Sequence, residues 1–275
     1  MSRLAATFDR LGREGRTALV PFVTAGDPEP AVTVPLLHAM VGAGADVIEL
    51  GVPFSDPMAE GPAIQRACER ALAHGMNLDR VLQMVAEFRR DDPDTPVVVM
   101  GYLNPIEVRG CDRFAAAAAA AGVDGVITVD LPPEEAGDYT AALTGAGLDP
   151  VFLLAPTSGD ARIRRVCAAS RGFVYYVSLR GVTGAAHLNL AEVRSRVGHI
   201  RGLCRLPVGV GFGISGPEAA AAVGTFADAV IVGSAIVKRV GELADRPAEI
   251  APAVARFVGG LRQALDGVPA EAGRA

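Results

Sequence analysis

The sequence predicts a parallel (β/α)8 barrel with an extra helix at its N-terminus, and three observations carry that reading. Eight short apolar runs recur about every 30 residues along the 275-residue chain, the arithmetic of an eight-unit barrel of about 250 residues. Each run is continuously rich in Val, Ile and Leu rather than alternating, as in strands covered on both faces. Helical segments lie between the runs, as crossovers between parallel strands require. A doubly wound open sheet is the alternative arrangement of the same units.

The elements follow in order. Residues 2–14 put Leu4, Phe8 and Leu11 on one face of a short amphipathic helix. The first strand is 18–24, stopped by Ala25-Gly26-Asp27-Pro28. The later strands fall at 46–50, 96–101, 125–129, 150–154, 173–177, 207–210 and 228–232. Helical stretches between them include 62–74, 78–90, 159–169 and 217–223. Polyalanine after Phe114 is strong helix, because alanine loses no side-chain entropy there. A closing helix at 248–265 ends in a polar tail. No Pro/Ser-rich linker or composition break divides the chain, so residues 1–275 are expected to form one domain.

Half the residues are hydrophobic and the net charge is −5. That balance, with no Lys/Arg run interleaved with aromatics, argues against nucleic acid or an anionic membrane as the main partner. Residues 1–17 carry charges throughout and lack the apolar core of a signal peptide. No apolar run approaches the roughly 20 residues that span a bilayer. A cytoplasmic location is the expectation. Cys68, Cys111, Cys167 and Cys204 form no Cys-x-x-Cys pair and read as small buried hydrophobes in a reducing compartment.

In a barrel, catalytic groups gather at the C-terminal ends of strands, and that rule ranks the carboxylates. Glu49 ends the second strand, sharing a face with Val47 between Ile48 and Leu50. A carboxylate there is costly to desolvate, which marks it as an acid or base. Asp56 and Glu60 sit in the loop that follows, Asp27 in the first loop and Asp130 after the fourth strand. Asp46 and Asp228 precede their strands and read as structural.

Gly211-Phe212-Gly213-Ile214-Ser215-Gly216 has the form of a dinucleotide fingerprint. It follows the seventh strand rather than the first, and the nearest acid, Asp228, precedes the eighth. It therefore reads as half of a barrel phosphate site, completed by Val232-Gly233-Ser234-Ala235 after the eighth strand. Two helix N-termini would direct partial positive charge at the anion without a lysine. Lys238, the chain's only lysine, lies beyond the eighth strand on the helix and does not suit Schiff-base chemistry. His38, His74 and His199 fall on or beside helices, leaving His187 alone in a strand-end loop, so no metal site is expected. The three helical histidines read as solvated surface groups. Carboxylate acid–base chemistry on a phosphorylated small molecule remains. Phe22, Met100, Tyr175 and Phe212 at strand ends would line an apolar cleft, and the Gly/Ser/Thr-rich stretch from Ser178 to Asn189 reads as a lid.

Six stretches occur in order along the chain: Glu49-Leu50-Gly51-Val52-Pro53-Phe54-Ser55-Asp56-Pro57, Gly101-Tyr102-Leu103-Asn104-Pro105, Val129-Asp130-Leu131-Pro132, Gly181-Val182-Thr183-Gly184, Gly211-Phe212-Gly213-Ile214-Ser215 and Gly233-Ser234-Ala235-Ile236-Val237-Lys238. Together they resemble the α subunit of tryptophan synthase over nearly the whole chain. The resemblance implies cleavage of indole-3-glycerol phosphate to indole and glyceraldehyde 3-phosphate. It implies Glu49 as the acid/base and the carboxylate at 60 on the indole N–H. Tyr175 and Phe22 would bound the indole, Thr183 would belong to the lid, and Gly184, Gly213, Gly233 and Ser234 would hold the phosphate. It also implies a pyridoxal-phosphate β subunit as partner in an α2β2 heterotetramer, docked near Asp56, Asn104 and Pro132, with no cofactor in this chain.

Two departures stand out. Glu60 replaces the family's aspartate, carrying its carboxylate roughly 1.5 Å further out. A misplacement of about 1 Å can cost on the order of a hundredfold in rate, so either the loop compensates or turnover is weakened. Leu179-Arg180 makes the lid stem bulkier and more basic than the family pattern. A stand-alone indole-releasing lyase, or a weakened chain that mainly activates the β subunit, are the alternatives; a phosphosugar isomerase has only the phosphate site in its favour.

Overall fold

The computed structural model describes residues 2–178, 189–211 and 213–268. Its strands are β1 (Ala18–Thr24), β2 (Ile48–Gly51), β3 (Val97–Gly101), β4 (Gly125–Thr128), β5 (Asp149–Val151), β6 (Leu153–Leu154), β7 (Val174–Val177), β8 (Val208–Gly211) and β9 (Ala229–Val232). All observed pairings are parallel, in the order β5-β4-β3-β2-β1-β9-β8-β7-β6. β5 and β6 are consecutive halves of one barrel strand, interrupted at Phe152, where the chain leaves β4 and joins β7. The sheet thus closes at the fifth strand, and the (β/α)8 expectation holds.

Alternation along each strand sorts the core in two. Leu19, Val23, Ile48 and Leu50 face outward into the shell between strands and helices. Ala18, Val20, Val47, Val98, Ile127, Val151, Phe173, Tyr175, Ala229 and Ile231 fill the barrel interior. The N-terminal helix α1 (Arg3–Arg13) completes that interior, with Leu4, Phe8 and Leu11 buried in it and the Phe8 ring 5.5 Å from Phe173. Ser2 caps the helix by accepting the Ala5 N–H at 3.2 Å. Burying those three side chains contributes about 1.5–3 kcal/mol each.

The strand-start aspartates are structural, as expected. Asp46, Asp124 and Asp228 accept the N–H groups of Leu19, Val97 and Val208 on neighbouring strands and pair with Arg262, Arg89 and Arg201. Each fixes strand register at the end of the barrel opposite the site.

Helix α3 (Pro62–Ala73) follows β2, and α10 (Pro217–Gly224), α11 (Ser234–Glu242) and α12 (Pro247–Asp266) end the described chain. Short α5 (Leu103–Arg109) follows β3.

Two expectations are corrected. Cys167 and Cys204 are joined in a disulfide with Cα atoms 5.7 Å apart, where free thiols were expected, because consecutive units of the barrel wall pack side by side. His38 is not a solvated surface group: it is half-buried, stacked 4.7 Å from the Phe88 ring, with its Nε2 shut off from solvent. His199 is exposed and meets Asp160 at 2.8 Å. Among the described residues no helix is long and apolar enough to cross a membrane.

Candidate active site

Glu49 lies in β2, level with Phe22 of β1 and Val98 of β3. The two-residue period that sends Val47 into the barrel sends Glu49 the same way, one step nearer the C-terminal mouth. It is 2% exposed, and among the described residues neither carboxylate oxygen meets a hydrogen-bond donor. Desolvation, followed by the nearby charge of Glu60, pushes its carboxyl up to about 8. Glu60 sits in the Pro/Ser/Asp-rich loop between β2 and α3, among exposed neighbours, yet is itself 4% exposed. Burial raises its carboxyl to about 7.

The loop is held so that this side chain turns inward. The Glu60 N–H donates to the Pro57 carbonyl at 3.0 Å, and the Gln65 amide donates to the Glu60 carbonyl at 2.9 Å. The Tyr102 hydroxyl accepts the Ala59 N–H at 3.0 Å, and the Tyr102 ring stacks 4.9 Å from Phe54. Tyr102 therefore ties the end of β3 to the loop bearing Glu60.

Both carboxylates face one cavity of about 810 Å³, open mouth included. Phe22, Ile64, Met100, Tyr175 and Ile231 give it apolar walls. Tyr175 is buried, and its hydroxyl is pushed far up by desolvation and then by the charges of Glu49 and Glu60. Two glycines make room for the aromatic walls. A Cβ at Gly51 would meet the Phe22 ring at 2.6 Å, and one at Gly211 would collide with the Tyr175 hydroxyl.

The far wall carries the two loops that the sequence suggests for a phosphate. Gly213, Ile214 and Ser215, ahead of α10, and Gly233, Ser234 and Ala235, at the start of α11, line the same cavity. Gly213 has φ +79°, a conformation that turns backbone amides toward an anion and that side chains rarely adopt. The first amides of α11 have no acceptor within their own helix, as at any helix start.

Of the site residues read from the sequence, Glu49, Glu60, Phe22, Met100, Tyr175, Gly213, Gly233 and Ser234 come together around this cavity. Thr183, Gly184 and Phe212 lie outside the described residues, as do His187 and the lid stem Leu179-Arg180. Asp27 lies apart from the cavity lining: it is buried and accepts from Nε and Nη2 of Arg70, at 2.6 and 3.0 Å. Asp130 accepts the Leu103 N–H at 2.8 Å. Asp56 and Asn104 are exposed and Pro132 half-buried, on the segments that follow β2, β3 and β4.

Ile64 and Ile231 also line the cavity without having been singled out, together with Ile214, Ser215 and Ala235 of the two glycine loops and Lys238, which the sequence places only on the helix beyond the eighth strand. A sequence signal existed for Lys238, which stands four residues after Ser234, one helical turn away on the same face. No group of three His, Cys, Asp or Glu side chains among the described residues is arranged to hold a metal ion. The arrangement suits proton transfer to and from a flat apolar substrate anchored by a phosphate.

Known proteins carry the same architecture. A chain from Methylococcus capsulatus called tryptophan synthase alpha chain is 61% identical over 266 residues, covering 97% of this chain and all of that one. One from Alkalilimnicola ehrlichii is 57% identical, covering 98% and 99%. The crystal structure of tryptophan synthase subunit alpha from Legionella pneumophila superposes with a TM-score of 0.91 at 44% identity, covering 98% of this chain and 100% of that one. A structure of Mycobacterium tuberculosis tryptophan synthase gives 0.87 at 39%, covering 96% and 98%. The family model described as tryptophan synthase alpha chain matches residues 8–266, and with these relatives it establishes that the chain belongs to the tryptophan synthase alpha chain family.

Proposed function

We propose that Glu49 and Glu60 divide the acid–base work of this chain's reaction between them. That reaction is the α half-reaction of tryptophan synthase, the cleavage of indole-3-glycerol phosphate to indole and glyceraldehyde 3-phosphate. The observation carrying the assignment is that two buried carboxyls face one cavity, both raised above the ordinary carboxylate range by desolvation and Glu49 raised further by the charge of Glu60. A neutral Glu49, with no hydrogen-bond donor on either oxygen, beside an ionised Glu60 is the pairing the chemistry requires.

Glu49 gives its proton to indole C3, and the carboxylate so formed takes the proton of the glycerol hydroxyl. The carbon–carbon bond then breaks, its electron pair returns to the indole ring, the oxygen becomes the aldehyde of glyceraldehyde 3-phosphate, and Glu49 is protonated again. Glu60 accepts the indole N–H and stabilises the positive charge that C3 protonation creates. Phe22, Met100, Tyr175, Thr183 and Phe212 hold the ring, while Gly184, Gly213, Gly233 and Ser234 bind the phosphate.

The partner is the tryptophan synthase β subunit, which carries the pyridoxal phosphate; this chain's half-reaction uses no cofactor. We place the docking face on the rim bearing Asp56, Asn104 and Pro132. In support, Met58 and Val108 on the same segments are 82% and 79% exposed, apolar groups left in water. We further read residues 1–275 as one domain working in the cytoplasm.

The test is indole release from indole-3-glycerol phosphate with and without a β subunit. Strong stimulation by the partner is expected. Equal rates in both would favour a stand-alone lyase, and negligible release in both would favour a chain that only activates the β subunit.

A further inference from the structure

Lys238 is left over from the site as assigned. It is the chain's only lysine and the only cationic residue among the described residues lining the cavity. It lies one turn into α11, four residues after Ser234. Residues four apart stand on one helix face, and Lys238 lines the same cavity as Gly233 and Ser234. The side chain is 72% exposed, and its Nζ lies 3.9 Å from Glu242 Oε1, at the outer limit of an ion pair. An ammonium held that loosely is free to exchange partners.

The electrostatics give it a task. Helix starts supply about half a charge each, the cavity holds two carboxyl groups, and the whole chain carries −5. Against that background a phosphate monoester dianion meets one full positive charge among the described residues of the cavity. We propose that Lys238 is a phosphate-recruiting residue, leaving Glu242 to engage the substrate's phosphate as it settles on the start of α11. The proposal rests on the phosphate site assigned above. It adds a full positive charge to a site of glycines and serines, and it makes substrate capture sensitive to salt.

The experiment compares Lys238→Ala, Lys238→Arg, Glu242→Gln and the natural chain, each with saturating β subunit, in cleavage of indole-3-glycerol phosphate. Lys238→Ala should raise KM about tenfold, the size of one charge-assisted contact, while kcat stays within about twofold. Its Ki for inorganic phosphate should rise in parallel, and the salt dependence of kcat/KM should flatten. Lys238→Arg should recover most of the loss, and Glu242→Gln should lower KM by about twofold. A KM for Lys238→Ala within twofold of the natural value overturns the proposal, as does a fall in kcat at constant KM. If inorganic phosphate does not compete with substrate in the natural chain, the phosphate site itself is misassigned. If it competes equally well in Lys238→Ala, the site stands and only the role of Lys238 fails.

Discussion

Replacing Glu49 by Gln should abolish turnover and at the same time stabilise the fold, by an amount that grows with pH. The carboxyl titrates near 4.5 in its ordinary state and near 8 in the barrel. At ~1.36 kcal/mol per pH unit, that difference corresponds to on the order of 5 kcal/mol of folding free energy. The sign follows from which state binds the proton. Below pH 4.5 both states hold it and nothing is lost. As pH rises further the unfolded chain releases the proton and the folded chain does not, so stability falls until about pH 8 and levels off above. Glutamine occupies the same volume and has no such dependence. Below about pH 8 Glu49 stays protonated and carries no charge to act on Glu60, so Glu60 contributes a similar slope to both proteins.

Urea denaturation of both chains at pH 5, 6, 7 and 8 should therefore show the glutamine variant gaining about 3 kcal/mol relative to the natural chain across that range. Indole release should fall at least a hundredfold in the same variant. A stability difference constant to within about 1 kcal/mol from pH 5 to pH 8 would mean that Glu49 is ionised in the fold. Its role as the acid would then be untenable.

Three further outcomes follow from the site. Glu60→Asp should lower kcat by roughly ten- to a hundredfold, since the carboxylate withdraws about 1 Å from a cavity shaped around the longer side chain; a rise in kcat would show instead that glutamate is the weaker residue at 60. Gly211→Ala should drive the Tyr175 ring toward the cavity and raise KM several-fold, and an unchanged KM would free Tyr175 of any role as a wall. Val108→Glu should weaken activation by the β subunit at least tenfold while indole release by the chain alone is unchanged; full activation would move the docking face elsewhere.

The apolar runs of the sequence determined the barrel, because continuous burial and a repeat near 30 residues are local properties that survive without coordinates. The same is true of Glu49. Its parity with Val47 against Ile48 and Leu50 gave the side it faces, and its position gave the end of the barrel it reaches. The glycines at 213 and 233 were legible for a similar reason, since a strand-to-helix turn is marked by residues adjacent in the chain.

Tertiary structure alone decided the rest, and in each case the deciding partner is distant in the chain or belongs to another element. Glu60 lies in a loop whose composition reads as solvent-exposed, and only the hold of Tyr102 and the closeness of the barrel mouth bury it. Cys167 meets Cys204 across 37 residues, and His38 meets Phe88, through packing that no periodicity encodes. The fifth strand pairs with β4 through its first half and with β7 through its second, on either side of Phe152, a division that its continuous apolar run does not announce. Lys238 was set aside as a helix residue, yet its helix begins at the cavity, and one turn of 5.4 Å is short enough for a lysine to span. Local pattern names the groups, and closure of the barrel decides which of them meet.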